Sequence, residues 1–332
     1  MFSKSNYDFL AMGDMVIDAF IKLREASINC DENKKNCMLS MRYADKIPYE
    51  NAYVIPAVGN SANATVAASR LGLKSALYSN IGDDTNGADC IKTLKKEKVG
   101  IKFITVNKNQ KTNYHYVLWF GNDRTILIKH EKYDYKLKNI GSPRWIYLSS
   151  FGENALPFHK DLEKYLNDHP KIKLAFQPGT FQIKFGRETL SGIYKRTEVF
   201  TSNKEEAQRI LETGEEDIKK LLSGIANLGP KIVVITDGPK GAFSYDGKEF
   251  LSMRLYPDPA PPLERTGAGD AFSATFVTAL VLGKNLREAL KWAPINPMSV
   301  VQYIGAREGL LKKQELENYL KKAPEDYEPK IL

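Results

Sequence analysis

Apolar residues run from Phe9 to Ile17 and are interrupted only by Gly13-Asp14, the pattern of a buried strand leading into a turn. Phe20 to Pro56 differs in kind, with short alternating pieces, scattered polar residues and no long helical period. It reads as an excursion of short strands or loops. From Val58 a glycine turn is followed by Ala64, Ala67, Ala68 and Leu71 at helical spacing. Strand Ser75 to Ile81, helix Asn86 to Glu97 and strand Ile101 to Val106 come next. Thr112 to Phe120 and Thr125 to His130 alternate around Gly121-Asn122-Asp123-Arg124, a hairpin signal. Downstream, strands Trp145 to Leu148, Ile172 to Phe176, Glu198 to Thr201 and Ile232 to Thr236 alternate with helical patterns at Pro157 to Leu166, Glu188 to Tyr194 and Lys204 to Leu222. A proline-rich loop, Pro257 to Pro262, precedes helices near Ala268 to Leu282, Leu286 to Trp292 and Lys312 to Lys321. Near-continuous apolar strands alternating with helices predict an α/β fold, its mostly parallel sheet covered on both faces.

Composition narrows the class. The chain has 332 residues, of which 42% are apolar and 27% charged, a globular balance. A fold of this size hides roughly 75% of its unfolded surface, so no metal or disulfide staple is needed. The longest apolar stretch, Ala271 to Leu282, is shorter than the ~20 residues of a membrane span. The N-terminus from Met1 to Asp8 carries no apolar signal-peptide region. Cys30, Cys37 and Cys90 form no metal-type spacing, and their odd number suits a reducing compartment. A cytoplasmic protein is expected. The net charge of +8 comes from lysines spread over many segments, a solvated surface rather than a nucleic-acid footprint. Neither nucleic acid nor membrane is expected as a partner. No fixed-period repeat or low-complexity linker divides the chain, so residues 1–332 read as one domain with a small β lid, about 19–57 and 112–130.

Five short patterns could carry chemistry. Gly267-Ala268-Gly269-Asp270 opens an apolar helix; its glycines let successive N–H groups converge where the helix start adds unpaired donors. That suits an anion whose charge grows during reaction, and Asp270 beside it could take a proton from an alcohol; a plain glycine turn with a capping Asp fits equally. Val58-Gly59-Asn60-Ser61-Ala62-Asn63 is a second glycine turn feeding a helix, with Asn60 and Asn63 suited to sugar hydroxyls or to simple capping. Asp18 could accept from two vicinal hydroxyls or stand idle at a strand end. Asn203-Lys204-Glu205-Glu206 reads as a capping box, or as Asn203 and Glu206 beside a hydrated Mg²⁺ on phosphates. Thr236-Asp237-Gly238-Pro239-Lys240-Gly241 lets a nucleotide approach the backbone or makes a tight hairpin. There is no Walker A loop, no Gly-x-Gly-x-x-Gly after the first strand and no Gly-x-Ser-x-Gly elbow. His115, His130, His159 and His169 lack metal-site spacing and read as structural or surface residues.

In order and spacing these patterns resemble the PfkB (ribokinase-like) family of carbohydrate and nucleoside kinases over nearly the full length. Gly59 to Asn63 with Ala67 to Gly72 and Ile81 to Gly87 looks like its N-terminal signature, and Gly267 to Asp270 with Ala271-Phe272 like its C-terminal one. The resemblance implies a ribokinase-like three-layer α/β/α fold with a β lid, and ATP-dependent phosphorylation of a hydroxymethyl group of a sugar or nucleoside. Asp270 would be the catalytic base and Gly267, Ala268 and Gly269 the anion hole. Asp18, Gly59, Asn60 and Asn63 would hold the acceptor. Asn203, Thr236, Gly238, Gly241 and Asn296 would hold ATP, with Glu206 reaching Mg²⁺ through water. A homodimer could form through the lid. Two departures stand out: Val58-Gly59 where two glycines are usual, and Glu264-Arg265 where Asp-Thr is usual, which puts a monovalent cation in question. Aromatic residues of the lid strand, Tyr114, Tyr116, Trp119 and Phe120, could stack a nucleobase or pack a strand face. The rival readings are a catalytically inactive sugar- or nucleoside-binding protein on the same fold, and a nucleic-acid binder using the basic surface.

Overall fold

The computed structural model describes residues 7–31, 37–121 and 123–332. Residues 1–6, most of the N-terminal stretch expected to carry no signal peptide, and Asn122 of the 121–124 turn lie outside the described residues, as do residues 32–36. The chain runs β1 (Phe9–Met12), β2 (Val16–Leu23), β3 (Ser27–Cys30), β4 (Cys37–Ser40), β5 (Tyr49–Val58), α1 (Asn60–Arg70), β6 (Ser75–Gly82), α2 (Thr85–Lys96), β7 (Gly100–Asn107), β8 (Tyr114–Phe120) and β9 (Asp123–Leu127). It continues with β10 (Trp145–Leu148), α3 (Leu156–Asp168), β11 (Lys173–Phe176), α4 (Thr180–Phe185), α5 (Ser191–Arg196), β12 (Thr197–Asn203), α6 (Lys204–Leu211), α7 (Ile218–Ala226) and β13 (Ile232–Thr236). Last come β14 (Ala242–Tyr245), β15 (Phe250–Met253), α8 (Ala268–Val281), α9 (Leu286–Trp292), α10 (Ile295–Val300), α11 (Lys313–Lys321) and β16 (Lys330–Ile331).

Ten strands form the main sheet in the order β16-β15-β14-β13-β12-β11-β10-β1-β6-β7. From β7 through β13 every pairing is parallel, and β14 to β16 add an antiparallel edge. Successive residues of a strand point to opposite faces, so the apolar runs feed two cores. Phe9 and Ala11 join the helices α1, α2, α8, α9 and α10 on one face; Leu10 and Met12 join α3, α5, α6 and α7 on the other. The fold is the three-layer α/β/α arrangement that the alternation predicts. Because β1 has β6 on one side and β10 on the other, the chain reverses direction across the sheet there. Crevices at the carboxyl ends of such strands are where open α/β sheets bind ligands.

The segments 19–57 and 112–130 contribute a second sheet, ordered β5-β2-β8-β9, and β3 and β4 make an outlying hairpin. Cys30 and Cys37 face each other in its register and form a disulfide. This departs from the expectation of reduced cysteines: antiparallel pairing brings the two side chains opposite one another. Cys90 is free and buried, and burial pushes its thiol up to about 12. Among the described residues no helix is long and apolar enough to cross a membrane.

Candidate active site

Two helices begin at the switch point with a glycine at positive φ and no side-chain cap. Gly59, before α1, has φ 104°, and a β-carbon there would sit 2.8 Å from the Asp14 carbonyl oxygen. Gly267, before α8, has φ 81°, and a β-carbon would meet the Ala306 β-carbon at 2.2 Å. Only glycine accepts both the dihedral and the approach. The first N–H groups of a helix have no partner within it, so the backbone at Gly269 and Asp270 offers donors at the positive end of the α8 dipole, while the Ala268 N–H reaches the Arg265 carbonyl at a long 3.4 Å. The first intrahelical bond there runs from Ala271 N–H to Gly267.

Asp270 stands in that first turn. Its carboxylate accepts from Asn63 Nδ2 of α1 at 2.9 Å and from Gln177 Nε2, just beyond β11, at 3.2 Å. Burial raises its pKa above the ordinary aspartate value, against the lowering by Asn63, Gln177 and Asn60, and the nearby Asp18 charge adds to the rise. A carboxylate poised this way keeps more proton affinity than an exposed one, which favours a general base. Gln177 is itself held by the Tyr147 hydroxyl, which donates to its Oε1.

A cavity of about 580 Å³ is bordered by Asp14, Gly59, Asn60, His115, His130 and Glu206 among others; Asn60 links it to Asp270 through a side-chain hydrogen bond, while Asp18, Asn63 and the 267–270 turn lie outside its lining. Asp18 lies on β2, 8% exposed, with an oxygen 3.4 Å from His115 Nδ1. Asn63 is buried, and its Oδ1 has no partner. Asn203 and Glu206 form the capping box: Asn203 Oδ1 accepts from Glu206 N–H at 2.7 Å, and Glu206 Oε2 from Asn203 N–H at 2.9 Å. Burial holds the Glu206 pKa above the ordinary glutamate value, and the Asp270 carboxylate adds to the effect. A single buried carboxylate at the cavity edge suits Mg²⁺, which keeps most of its water and binds few protein oxygens.

Thr236, Gly238 and Gly241 sit at the carboxyl end of β13, where Asn203 and Thr236 are register partners. Gly238 begins a short 3₁₀ turn, with open space where a side chain would project. Asn296 is not brought to this region. It is wholly buried, donates to Thr275 Oγ1 at 2.8 Å and accepts from Leu311 N–H at 2.8 Å, so it ties α10 to α8 and to the approach of α11. This corrects its expected contact with ATP. Glu264 is also buried; its two oxygens accept from Thr266 N–H at 2.7 Å and Gly305 N–H at 2.8 Å. Glu264 thereby ties the approach to α8 to the 305 loop through backbone donors on both of its oxygens.

The patterns in the sequence left out Asp14, Gln177, Tyr147, His115 and His130. Gln177 directly follows an apolar strand, a position that could have flagged it. The β8 aromatics are not in the cavity lining. Trp119 donates Nε1–H to the Gly121 carbonyl and lies under the Lys22 ammonium, while Tyr114 and Tyr116 pack on each other.

The sequence profile of the "pfkB family carbohydrate kinase" matches residues 20–313. The chain is 24% identical over 321 residues to an ATP-dependent 6-phosphofructokinase of Thermoanaerobacterium thermosaccharolyticum, covering 92% of this chain and 91% of that protein. Its fold superposes on a Methanocaldococcus jannaschii nucleoside kinase with a TM-score of 0.75 at 17% identity, covering 95% of this chain and 98% of that one. With Arabidopsis thaliana ribokinase complexed with ribose and ATP the TM-score is 0.78 at 17% identity, covering 95% and 99%. A profile match across most of the chain, over a site built from two uncapped helix starts and a buried aspartate, makes this protein a kinase and a member of the pfkB carbohydrate kinase family.

Proposed function

We propose that the protein transfers the γ-phosphoryl group of ATP to a hydroxymethyl group of a sugar or nucleoside bound in the cavity beside Asp270. The observation that carries this reading is the Asp270 carboxylate, raised in pKa and steadied by Asn63 and Gln177, at the uncapped start of α8. Asp270 takes the hydroxyl proton as that oxygen bonds to the γ-phosphorus, and the bond from phosphorus to the ADP oxygen breaks. Backbone N–H groups at Gly267, Ala268 and Gly269 face the charge that spreads over the phosphoryl oxygens. Asp18, Gly59, Asn60 and Asn63 hold the acceptor; Asn203, Thr236, Gly238 and Gly241 hold the nucleotide. Glu206 would hold Mg²⁺ through water, and the ion would supply neutralisation of the phosphate charge.

The smaller sheet serves as a lid on a single domain, excluding water that would otherwise take the phosphoryl group. Its outer surface exposes Tyr49, Val54, Tyr116 and Leu127, a face suited to pairing with a second copy of the chain. Reliance on ATP supports a cytoplasmic setting.

The test is an ADP-release assay with ATP, Mg²⁺ and a panel of D-ribose, D-fructose, fructose 6-phosphate, adenosine and cytidine. One acceptor or more gives ADP in step with its own phosphorylation. Asp270→Asn keeps ligand-induced thermal stabilisation but loses about 10²–10⁴-fold in kcat, the usual worth of a general base. Near-normal turnover of that variant removes Asp270 from the role. Stabilisation by an acceptor with no ADP from any of them makes the protein a binder without catalysis.

A further inference from the structure

Two histidines from the smaller sheet and its exit meet two carboxylates at the cavity, Asp18 within the same sheet and Asp14 where β1 passes into β2. His115 on β8 is the register partner of Asp18 on β2, with Nδ1 3.4 Å from Asp18 Oδ1. His130, three residues beyond β9, has Nδ1 3.0 Å from Asp14 Oδ2. Asp14 is 3% exposed, and the Tyr135 hydroxyl donates to both of its oxygens, at 3.0 and 2.9 Å. The two rings lie 5.2 Å apart and both border the cavity, with His130 edge-on to Phe181.

An ionised carboxylate can only accept a hydrogen bond, so the His130 nitrogen on Asp14 carries the proton, and the longer 3.4 Å approach of His115 Nδ1 to Asp18 favours the same tautomer. In a neutral imidazole the other nitrogen, Nε2, is then a bare acceptor. His115 Nε2 is buried with no hydrogen-bond partner among the described residues. A buried acceptor left unfilled is costly, and this one belongs to a residue that borders the cavity. Asp14 itself is filled by Tyr135 and His130, which makes it a positioning carboxylate rather than a contact for the acceptor.

Resting on the kinase reading above, we infer that His115 and His130 are specificity-determining residues whose Nε2 atoms accept hydrogen bonds from hydroxyls of a neutral, polyhydroxylated sugar. Together with the Asp18 carboxylate they present three acceptors, which calls for a ligand rich in O–H donors. A nucleobase would need an apolar slot; Tyr114, Tyr116, Trp119 and Phe120 of β8 lie outside the lining, and Phe181, which is in it, stands edge-on to His130 with the Lys184 ammonium over its ring. A phosphorylated sugar would need surplus positive charge. Lys129 and Lys132 at the rim are instead paired with Glu131 and Glu153, at 3.0 and 3.4 Å, and the third lining lysine, Lys184, lies over the Phe181 ring and is outweighed by the Asp14 and Glu206 carboxylates.

The same acceptor panel, extended to monodeoxy analogues of whichever sugar is used, tests this with His115→Leu and His130→Leu. Each variant raises the KM of the sugar at least tenfold, with kcat and the KM for ATP within twofold of wild type. Each also abolishes the wild-type penalty for one particular monodeoxy analogue, which a general loosening of the fold would not do. His115→Gln and His130→Gln, whose amide oxygens can accept, recover part of the affinity and guard against a leucine variant that folds poorly. Isothermal titration of the sugar without ATP reports the same losses, so binding that persists without ADP formation spares this inference and sinks the kinase reading. Preference for a nucleoside or for fructose 6-phosphate overturns the inference while leaving the kinase intact. So does a sugar KM that neither leucine variant moves, and so does a lack of any sugar binding.

Discussion

A methyl group at position 267 has no room. The backbone there has φ 81°, and a β-carbon would lie 2.2 Å from the Ala306 β-carbon and 2.5 Å from its α-carbon. Neither contact is the far end of a flexible chain, so the turn itself would have to move. Gly267→Ala therefore displaces the first N–H groups of α8 from the phosphoryl group they are proposed to face. Loss of a well-aimed donor in such a site costs about 10²–10³ in kcat. The ADP-release assay should show a fall of that size with the melting temperature lowered only modestly; unchanged turnover would mean that the turn does not face the reaction. This residue was legible in the sequence only through the order and spacing of all the patterns together, because a Gly-x-Gly-Asp at a helix start taken alone fits a plain glycine turn equally. His115 and His130 were not. Their partners lie 97 and 116 positions away, and no local spacing marks a histidine that meets its carboxylate at such a distance along the chain.

At the scale of elements, strong periodicity translated well into helices and strands, and weak or short signals did not. Helices α1, α2, α3 and α8 and the parallel strands lie where the apolar patterns predict them. The pattern from Lys204 to Leu222 predicts one helix, but Glu212 takes a left-handed conformation at φ 54° and ends α6, and Asp217 starts α7 afresh by accepting from Lys219 N–H. Two amphipathic faces in similar phase hid that break. Helices α4 and α10 are six residues each, too short to show a period, and α10 carries a proline. Short α4 nonetheless packs on a pH-sensitive residue of α3. His159 on α3 is 1% exposed, its Nδ1 faces the Ala155 carbonyl oxygen at 2.7 Å and its Nε2 lies 3.2 Å from Gln182 Nε2 on α4. Burial pushes its imidazole down to about 4. In the unfolded chain a histidine binds its proton near pH 6.5, so between those values the unfolded state holds more protons than the folded one. The stability is full above pH 6.5 and is lost as pH falls toward 4, by roughly 3 kcal/mol from this residue alone. Urea unfolding at pH 7 and pH 4.5 should show that loss. His159→Phe, set among Phe151, Phe158 and Phe185, should flatten it whatever its stability at pH 7.

For the molecule as a whole, the question is what couples the smaller sheet to the body. Alternating strands and a hairpin predict such a sheet from sequence, but its anchorage comes from the far C-terminal region and left no local trace. Arg307 is the clearest link. Its guanidinium donates from Nη1 to the Pro56 and Ala57 carbonyls, at 2.8 and 3.0 Å, where β5 returns to the body. Burial lowers its pKa, as expected for a cation held away from water. The adjoining Gly305 N–H is bound by Glu264, and Ala306 packs against Gly267, so the same loop touches the root of the smaller sheet and the start of α8. Arg70 fastens that loop from behind, donating to the Arg307, Glu308 and Leu310 carbonyls while paired with Glu97. Replacing Arg307 by Met keeps much of the side-chain volume but removes both bonds to β5. Hydrogen bonds from a charged donor contribute about 1.5–3 kcal/mol each, so a loss of a few kcal/mol is expected by urea unfolding. If the smaller sheet closes the site against water, the variant also releases more ADP than it makes phosphorylated acceptor, because water then competes for the phosphoryl group. A destabilised variant that still makes one phosphorylated acceptor per ADP would show that Arg307 anchors the sheet without controlling its closure.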